Sequence, residues 1–296
     1  MSFPVAQGFV ATIGGVDTAT HTFNVPSGVV AGERLFLFVS SYDQIGLTSM
    51  PAPAGWTETL ESFIETNIRL TCFEKTSDGT ETTATITSGR DSSISFGHCY
   101  RVSGWESTEY SSPAQQPVSA SIDSVTAPTL TPSWSGDTLY MVLGSAGRDS
   151  KTFGTMPAGY TSQTGVSGNN AGNRGVGLGS GYKQAASAAE SPGDLVASTY
   201  LSMIAVTIAI KPASASVTTS DTLQPGESFT LTATNYTSAP VSPATLTDSE
   251  GSTITVPVTI SGSGPYTAVG TMPTLAEAVT AGTSLLFGDV TIELST

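Results

Sequence analysis

The chain has 296 residues, of which 10 are Lys or Arg and 24 are Asp or Glu, so the formal net charge is −14. Charged residues make up 11% of the chain, whereas globular domains average about 25%. The hydrophobic share of 38% is enough for real cores and argues against a fully disordered chain. The acidic balance argues against a nucleic-acid-binding protein, because no basic surface is available to neutralise phosphates.

Membrane and secretion signals are also missing from the pattern. No apolar run approaches the roughly 18 residues that a membrane-spanning helix needs. The first residues lack a basic segment followed by an apolar stretch, so we expect no signal peptide. Two cysteines do not make a disulfide framework, and two histidines leave little for metal or acid–base chemistry.

Short β-branched and aromatic runs between clusters of Gly, Pro, Asn, Asp and Ser dominate the chain, and helical periodicity is almost absent. This pattern predicts an all-β fold. The strands predicted up to residue 212 are Phe9–Ile13, His21–Val25, Arg34–Ser41, Thr57–Phe63, Ile68–Lys75, Thr82–Thr87, Ser93–Ser103, Asp137–Gly144, Tyr160–Val166, Gly175–Lys183 and Tyr200–Ile210.

Two of these strands are apolar on both faces. Leu35–Val39 and Leu139–Leu143 do not alternate between apolar and polar residues. This favours central strands covered on both sides, by a second sheet and by loops or a neighbouring subunit. The alternative is a plain sandwich strand with one face under a loop.

An internal repeat connects the two halves of this region. Gly32–Leu35 matches Gly136–Leu139, and Pro53–Thr57 matches Pro157–Thr161, both at a spacing of 104 residues. The shared spacing indicates a duplication, with halves of about 1–108 and 109–212 and about seven strands each. The sequence predicts an internally duplicated, jelly-roll-like β-sandwich region, which leaves open whether 1–212 forms one sandwich or two. In the Pro-Ala-Gly-aromatic-Thr turn, Pro fixes φ, Gly supplies positive φ, and the aromatic residue enters the core.

The segment beyond Pro212 has a separate pattern. Ala213–Ser216 suits a linker, and residues 213–296 predict an Ig-like sandwich domain. A capping-box spacing at Thr274–Glu277 predicts one helical turn. The predicted strands are Ser228–Ala233, Ser252–Ile260, Tyr266–Gly270, Ser284–Gly288 and Val290–Leu294.

Half of the net charge lies in this last segment. Seven acidic residues and no Lys or Arg follow Lys211. An outward-projecting domain that repels other anionic particles would explain this distribution, as would simple acidic drift on a solvated surface.

No catalytic motif occurs in the sequence, and we expect no catalytic, cofactor-binding or metal-binding residues and no cofactor. His98 shares a strand face with apolar neighbours, so we expect a core histidine with a hydrogen-bond partner. His21 is near no motif. Cys72 and Cys99 have different settings and are expected to be reduced thiols that pack as small hydrophobes, with a Cys72–Cys99 disulfide as the alternative. The glycine-rich run Gly175–Gly181 predicts a flat strand that admits close packing rather than a phosphate loop.

Acidic residues give only weak signals for a site. Asp17, Asp43 and Asp149 lie on predicted loops but form no calcium-binding pattern. Glu58, Glu61 and Glu65 are loosely spaced on a strand and its exit, and the sequence does not show the carboxylate separation that a glycosidase needs.

Four segments together carry a resemblance: Gly32–Val39, Pro53–Thr57, Phe73–Thr82 and Tyr100–Trp105. In this order they resemble a β-rich module of tailed-bacteriophage virion proteins, found in head-decoration, head-fibre and tail proteins, and the resemblance covers about 1–212. Related modules also occur in secreted bacterial surface proteins. The C-terminal segment resembles the accessory Ig-like domains of phage capsids and tails.

The resemblance implies a non-enzymatic virion structural protein that decorates or stabilises the capsid. Residues 1–212 are then expected to anchor on the major capsid protein or another virion protein, and 213–296 to project. We expect a homo-oligomer, most simply a trimer, located on the virion after assembly in the host cytoplasm, with no nucleic-acid or membrane partner.

Three other functions stay open. The first is a tail fibre or adaptor that binds host surface glycans through Trp56, Trp105 and Trp134; the alternative is that Trp56 and Trp105 are core or interface residues. The second is a secreted bacterial surface adhesin. The third is an enzyme, such as a depolymerase, which would need a cleft with paired carboxylates.

Overall fold

In this computed structural model the described residues are 3–16, 18–43, 50–64, 68–88, 93–117, 123–147, 153–169, 174–186, 188–197, 202–213, 216–218, 228–234, 244–247, 253–256, 258–261, 266–271, 284–287 and 290–293. All regular structure in these ranges is β-strand, which confirms the predicted all-β fold. Residues Phe3–Pro212 form one compact unit, here called the sandwich unit. Residues Ala213–Thr296 belong to a second, here called the C-terminal unit.

Sixteen strands are described in the sandwich unit, and each of the eleven predicted strands overlaps one of them. They are β1 (Val5–Val16), β2 (Thr20–Asn24), β3 (Arg34–Asp43), β4 (Thr57–Ile64), β5 (Ile68–Thr76), β6 (Thr83–Thr87), β7 (Ser93–Ser103), β8 (Trp105–Tyr110), β9 (Ala114–Gln116), β10 (Ser124–Ala127), β11 (Thr138–Gly147), β12 (Phe153–Thr155), β13 (Thr161–Asn169), β14 (Arg174–Ala185), β15 (Gly193–Ala197) and β16 (Ser202–Pro212). The sequence did not predict β8, β9, β10, β12 or β15, which are short. The expected division at residue 108 falls inside β8.

The strands form two large and two small antiparallel sheets. The first large sheet has the order β1-β7-β3-β5-β4, and the second has the order β13-β14-β11-β16-β8 with β9 also paired to β16. The small sheets are β2-β6 and β10-β15-β12. Strand by strand, β7, β3, β5 and β4 correspond to β16, β11, β14 and β13, so the repeated sequence has a repeated strand order.

The two large sheets face each other in a β-sandwich-like arrangement. One apolar cluster, here called the inter-sheet core, contains residues of both halves, such as Phe38, Ile94, Leu143 and Val206. The opposite face of each large sheet is covered by the small sheet of its own half. Each of the strands β3 and β11 thus has one face against the opposite large sheet and the other against a small sheet of the same chain. This explains why both faces of these strands are apolar.

The strand register corrects the spacing inferred from the repeat by one residue. Ser40 and Ser145 are both buried and share a hydrogen bond of 2.6 Å across the inter-sheet core. Leu35 and Tyr140 each face the small sheet of their own half, whereas Leu139 faces the inter-sheet core. Corresponding positions of β3 and β11 are thus 105 residues apart, as Ser40 and Ser145 are.

The repeated turns have the predicted geometry. Gly55 and Gly159 have positive φ angles of 78° and 84°, and the Trp56 amide donates to the Pro53 carbonyl at 2.9 Å. The aromatic residue after each glycine, Trp56 or Tyr160, is buried. The two turns therefore serve as entry points for aromatic side chains into the cores.

Eight strands are described in the C-terminal unit: β17 (Ser216–Thr218), β18 (Ser228–Thr234), β19 (Ala244–Thr247), β20 (Thr253–Val256), β21 (Val258–Ser261), β22 (Tyr266–Thr271), β23 (Ser284–Phe287) and β24 (Val290–Glu293). They form two four-stranded antiparallel sheets, β17-β18-β22-β21 and β20-β19-β23-β24. The Ig-like and jelly-roll assignments stay predictions. The helical turn expected at Thr274–Glu277 lies outside the described residues. No helix in the described ranges has the length and apolarity to cross a membrane.

Candidate functional site

An open groove of about 460 Å³ lies between β4 and β5 of the first large sheet and β8 of the second. We call it the β8 groove, and its lining residues are Arg34, Thr59, Glu74, Trp105, Glu106, Ser107, Thr108 and Tyr110.

A buried carboxylate lies at the base of the β8 groove. The Glu74 side chain is 2% exposed, and both Nε and Nη2 of Arg34 lie 2.6 Å from its Oε2 atom. The Arg34 guanidinium also stacks over the Trp105 ring, 4.5 Å from the ring centroid. The Trp105 indole is held in turn, because Nε1 donates to the Gly32 carbonyl at 2.9 Å. The cation and the indole therefore form one fixed wall of the groove.

Hydroxyl groups complete the base of the groove. The Tyr110 hydroxyl donates to the Glu74 carboxylate, and Thr59 Oγ1 donates to the Tyr110 oxygen at 2.9 Å. Burial raises the pKa of Tyr110 well above its usual value, and the nearby Cys72 and Glu74 groups raise it further. Tyr110 is therefore a protonated donor at neutral pH rather than a nucleophile.

Two β-bulges aim polar residues at this groove. The β4–β5 register shifts between Glu58 and Leu60, which leaves Thr59 as the extra residue. The β16–β8 register shifts between the pairs formed by Ser107 and Trp105, which leaves Glu106 as the extra residue. Bulges redirect side chains and are common beside functional sites. The bulges at Thr59 and Glu106 both place a polar side chain in the lining of the groove.

The three tryptophans considered for a glycan site lie in three different places. Trp56 is buried in the core between the first large sheet and β2-β6. Trp134 packs against the core of the second half, and its Nε1 donates to Thr138 Oγ1 at 2.9 Å. Of these three tryptophans, which all lie in the described part of the chain, only Trp105 lines the β8 groove.

Both histidines are buried beside a serine. Nδ1 of His98 lies 2.7 Å from Ser180 Oγ in the opposite large sheet, which confirms the expected core histidine with a partner. Nδ1 of His21 lies 2.7 Å from Ser95 Oγ. Burial lowers the pKa of His98 to about 3 and that of His21 to about 4. Both rings are neutral and shielded from solvent at pH 7, which does not suit a base that must reach a substrate.

The cysteines and the glycine-rich run are structural in the described geometry. Cys72 lies in the inter-sheet core and Cys99 on the opposite face of the same sheet, and both are free thiols. Burial raises the pKa of each thiol. A Cβ atom on Gly179 would lie 2.9 Å from Phe153 and Met156 atoms, which confirms that the flat strand admits close packing.

Of the acidic candidates in the described residues, only Glu58 and Glu61 are neighbours, and they form no cleft with the others. Glu58 and Glu61 are exposed on the edge strand β4, and Glu61 pairs with Arg69 at 3.2 Å. Burial raises the pKa of Glu58, and the neighbouring Glu61 raises it further. Asp43 is buried, and Asp17, Glu65 and Asp149 lie outside the described residues. Within the described ranges no three His, Cys, Asp or Glu side chains are grouped to hold a metal ion.

A repeated ion pair was missed by the sequence analysis. Lys75 Nζ lies 2.8 Å from Glu81, and Lys183 Nζ lies 2.9 Å from Glu190. Each lysine lies against the glycine of its half's Pro-Ala-Gly turn. The similar positions in both halves assign this pair to the duplicated scaffold, and aligning the halves on their lysines would have found it.

The base carboxylate of the β8 groove is engaged by both Arg34 and Tyr110. No protein-family model matches this chain, and neither does a curated protein or a solved structure.

Proposed function

We propose that this protein is a non-enzymatic virion structural protein of a tailed phage that decorates or stabilises the capsid as a homo-oligomer, most simply a trimer. The sandwich unit anchors on the major capsid protein or another virion protein, and the C-terminal unit projects. The resemblance of 1–212 to phage head and tail modules supports this proposal, and so do the few charges and the duplicated all-β architecture.

The observation that carries the proposal is the exposed edge strand β1. It lies at the end of its sheet, and Val5, Ile13 and Val16 are 41%, 58% and 39% exposed. Among the described strands β1 pairs only with β7, and a strand edge left open in this way, with apolar side chains beside it, is suited to pairing with another chain.

The test is attachment of the purified protein to particles that lack it. Ile13→Lys combined with Val16→Lys is expected to abolish attachment without unfolding, because both side chains are exposed. Val269→Lys is the matched control, since Val269 is an exposed valine of the C-terminal unit. Equal attachment of both variants would contradict anchoring through β1.

Truncation separates the roles of the two units. Deleting residues 213–296 is expected to leave attachment intact, because the sandwich unit is the proposed anchor. Loss of attachment in the truncated protein would reverse the assignment of the two units. Electron microscopy of intact particles then gives the location and copy number of the chain.

A second candidate function is favoured by the β8 groove: a tail fibre or adaptor protein that binds host surface glycans. The indole of Trp105 and the surrounding hydroxyl groups are the supporting observation. Copy number per particle distinguishes the two candidates, since decoration requires many copies on the head and a tail protein is present in few.

A further inference from the structure

The β8 groove exists in one half of a duplicated scaffold. Glu74 pairs with Thr57 on β4, and Tyr182 pairs with Thr161 on β13, so Tyr182 occupies the position that Glu74 has in the first half. Tyr182 packs against the inter-sheet core as a partly buried aromatic residue. The scaffold therefore accepts a largely apolar residue where the groove has a buried carboxylate.

The partner cation shows the same asymmetry. With corresponding positions 105 residues apart, Leu139 stands where the first half has Arg34, and Leu139 is fully buried. Strand β13 pairs with β14 without a register shift, whereas β4 has the bulge at Thr59. A buried ion pair is costly to desolvate and is often replaceable by apolar residues, as the second half demonstrates. The fold does not require these polar features, so they call for another explanation.

The chemistry of the lining residues points to a neutral, hydroxyl-bearing ligand. The two acids of the groove are each paired with a cation, Glu74 with Arg34 and Glu106 with Lys211. The formal charges of these two ion pairs cancel, so the groove offers no net charge that would favour an ionic ligand. The remaining lining groups are one indole and the hydroxyls of Thr59, Ser107, Thr108 and Tyr110. The hydroxyls of Thr59, Thr108 and Tyr110 already donate within the site and offer acceptor lone pairs, whereas the Ser107 hydroxyl can both donate and accept. An apolar ring beside such groups matches the alternating apolar faces and hydroxyls of a sugar.

We infer that the β8 groove is a binding site for neutral oligosaccharides, with the Arg34–Trp105 stack as its wall and Thr59, Ser107 and Glu106 at its open side. This inference rests on the second candidate function. Particle copy number tests that function, whereas the measurement below uses the purified full chain, so the failure of one is distinguishable from the failure of the other.

The experiment uses a panel of neutral oligosaccharides of glucose, galactose and N-acetylglucosamine, together with sialylated counterparts as acidic probes. The variant Trp56→Phe/Trp134→Phe leaves Trp105 as the sole tryptophan of the chain. Its emission is expected to change on titration with a neutral oligosaccharide and to stay constant with the acidic probes. Titration calorimetry of the unmodified chain with the same oligosaccharide gives the affinity.

A blocking variant keeps the inference testable while the contacts among Arg34, Glu74 and Trp105 stay in place. Ser107 is exposed and lines the groove, so Ser107→Trp is expected to fill it and to weaken binding about tenfold or more. Thr85→Trp, at an exposed position on β6, is the matched control and should bind as the unmodified chain does. No emission change with any neutral oligosaccharide, stronger binding of the acidic probes, or full binding by Ser107→Trp would each overturn the inference.

Discussion

Two buried histidines make the stability of the sandwich unit depend on pH. His98 and His21 are both fully buried, and burial lowers their pKa values from 6.5 to about 3 and about 4. In the unfolded chain both rings regain an ordinary pKa and bind protons as the pH falls below 6.5. Because the unfolded state then holds more protons than the folded state, the free energy of unfolding must decrease with falling pH.

The magnitude follows from these pKa values. Between about pH 7.5 and about pH 5, each ring lowers the free energy of unfolding by about 2 kcal/mol, or about 4 kcal/mol together. The contribution is fully present above the unfolded pKa and is lost progressively as the pH falls through the folded pKa. The folded rings stay neutral in this interval, because burial holds their pKa values at about 3 and about 4, below its lower end.

The assay is urea unfolding at a series of pH values, followed by tryptophan fluorescence. All three tryptophans lie in the sandwich unit, so the signal reports on that unit. The control is His21→Asn/His98→Asn, which contains no histidine and whose amide groups can replace Nδ1 toward the two serines. Its pH dependence should be smaller by about 4 kcal/mol over the same interval. Equal pH dependence of the variant and the unmodified chain would refute the reasoning.

Three further changes test the packing of the sandwich unit by urea unfolding. Gly179→Ala should cost about 1–3 kcal/mol, because its new methyl group would overlap buried side chains, and an unchanged midpoint would contradict that close packing. Ser40→Ala or Ser145→Ala alone should cost about 1–3 kcal/mol, whereas the double change should cost less than the sum, and strict additivity would argue against their contact. Glu74→Gln should cost about 3 kcal/mol, because Arg34 loses its buried partner, and a neutral effect would place this ion pair in solvent.

The long central strands were predictable from sequence because they are runs of apolar residues that favour β-strands. Runs such as Leu35–Val39 are β-branched, aromatic or aliphatic, and turn residues bound them. The missed strands are short, and β8 contains the polar pair Glu106-Ser107, so neither length nor alternation identified it. The local pattern therefore identified every strand of the large sheets except β8 and β9, and it missed the three strands of the small sheet β10-β15-β12.

The sequence could not show which residues of β3 and β11 correspond, and the reason is again the uniformly apolar side chains. A strand with one buried face has an alternation that fixes which residues point inward. Strands β3 and β11 are buried on both faces, so a shift of one residue changes no pattern in the sequence. The faces on which Leu35, Leu139 and Tyr140 lie supply the missing information.

The β8 groove was not predicted because its residues come from distant parts of the chain. Arg34 and Glu74 are 40 residues apart, and Tyr110 follows 36 residues later. The signal that could have found them is the comparison of the halves. Once the register is correct, Arg34 and Glu74 align with Leu139 and Tyr182, and this change from charged to largely apolar residues marks one end of the core.

The inter-sheet core joins two equivalent sheets that belong to one polypeptide, as if the subunits of a homodimer had been fused. In a true homodimer every substitution is made twice, at both symmetry-related places, and an unfavourable change is unfavourable at both. In the fused chain each half can change by itself while the other half keeps the packing intact. The covalent link also keeps the halves together at any protein concentration. One end of the core could therefore acquire an ion pair, two bulges and an open groove, while the opposite end retained the apolar packing on which the fold depends.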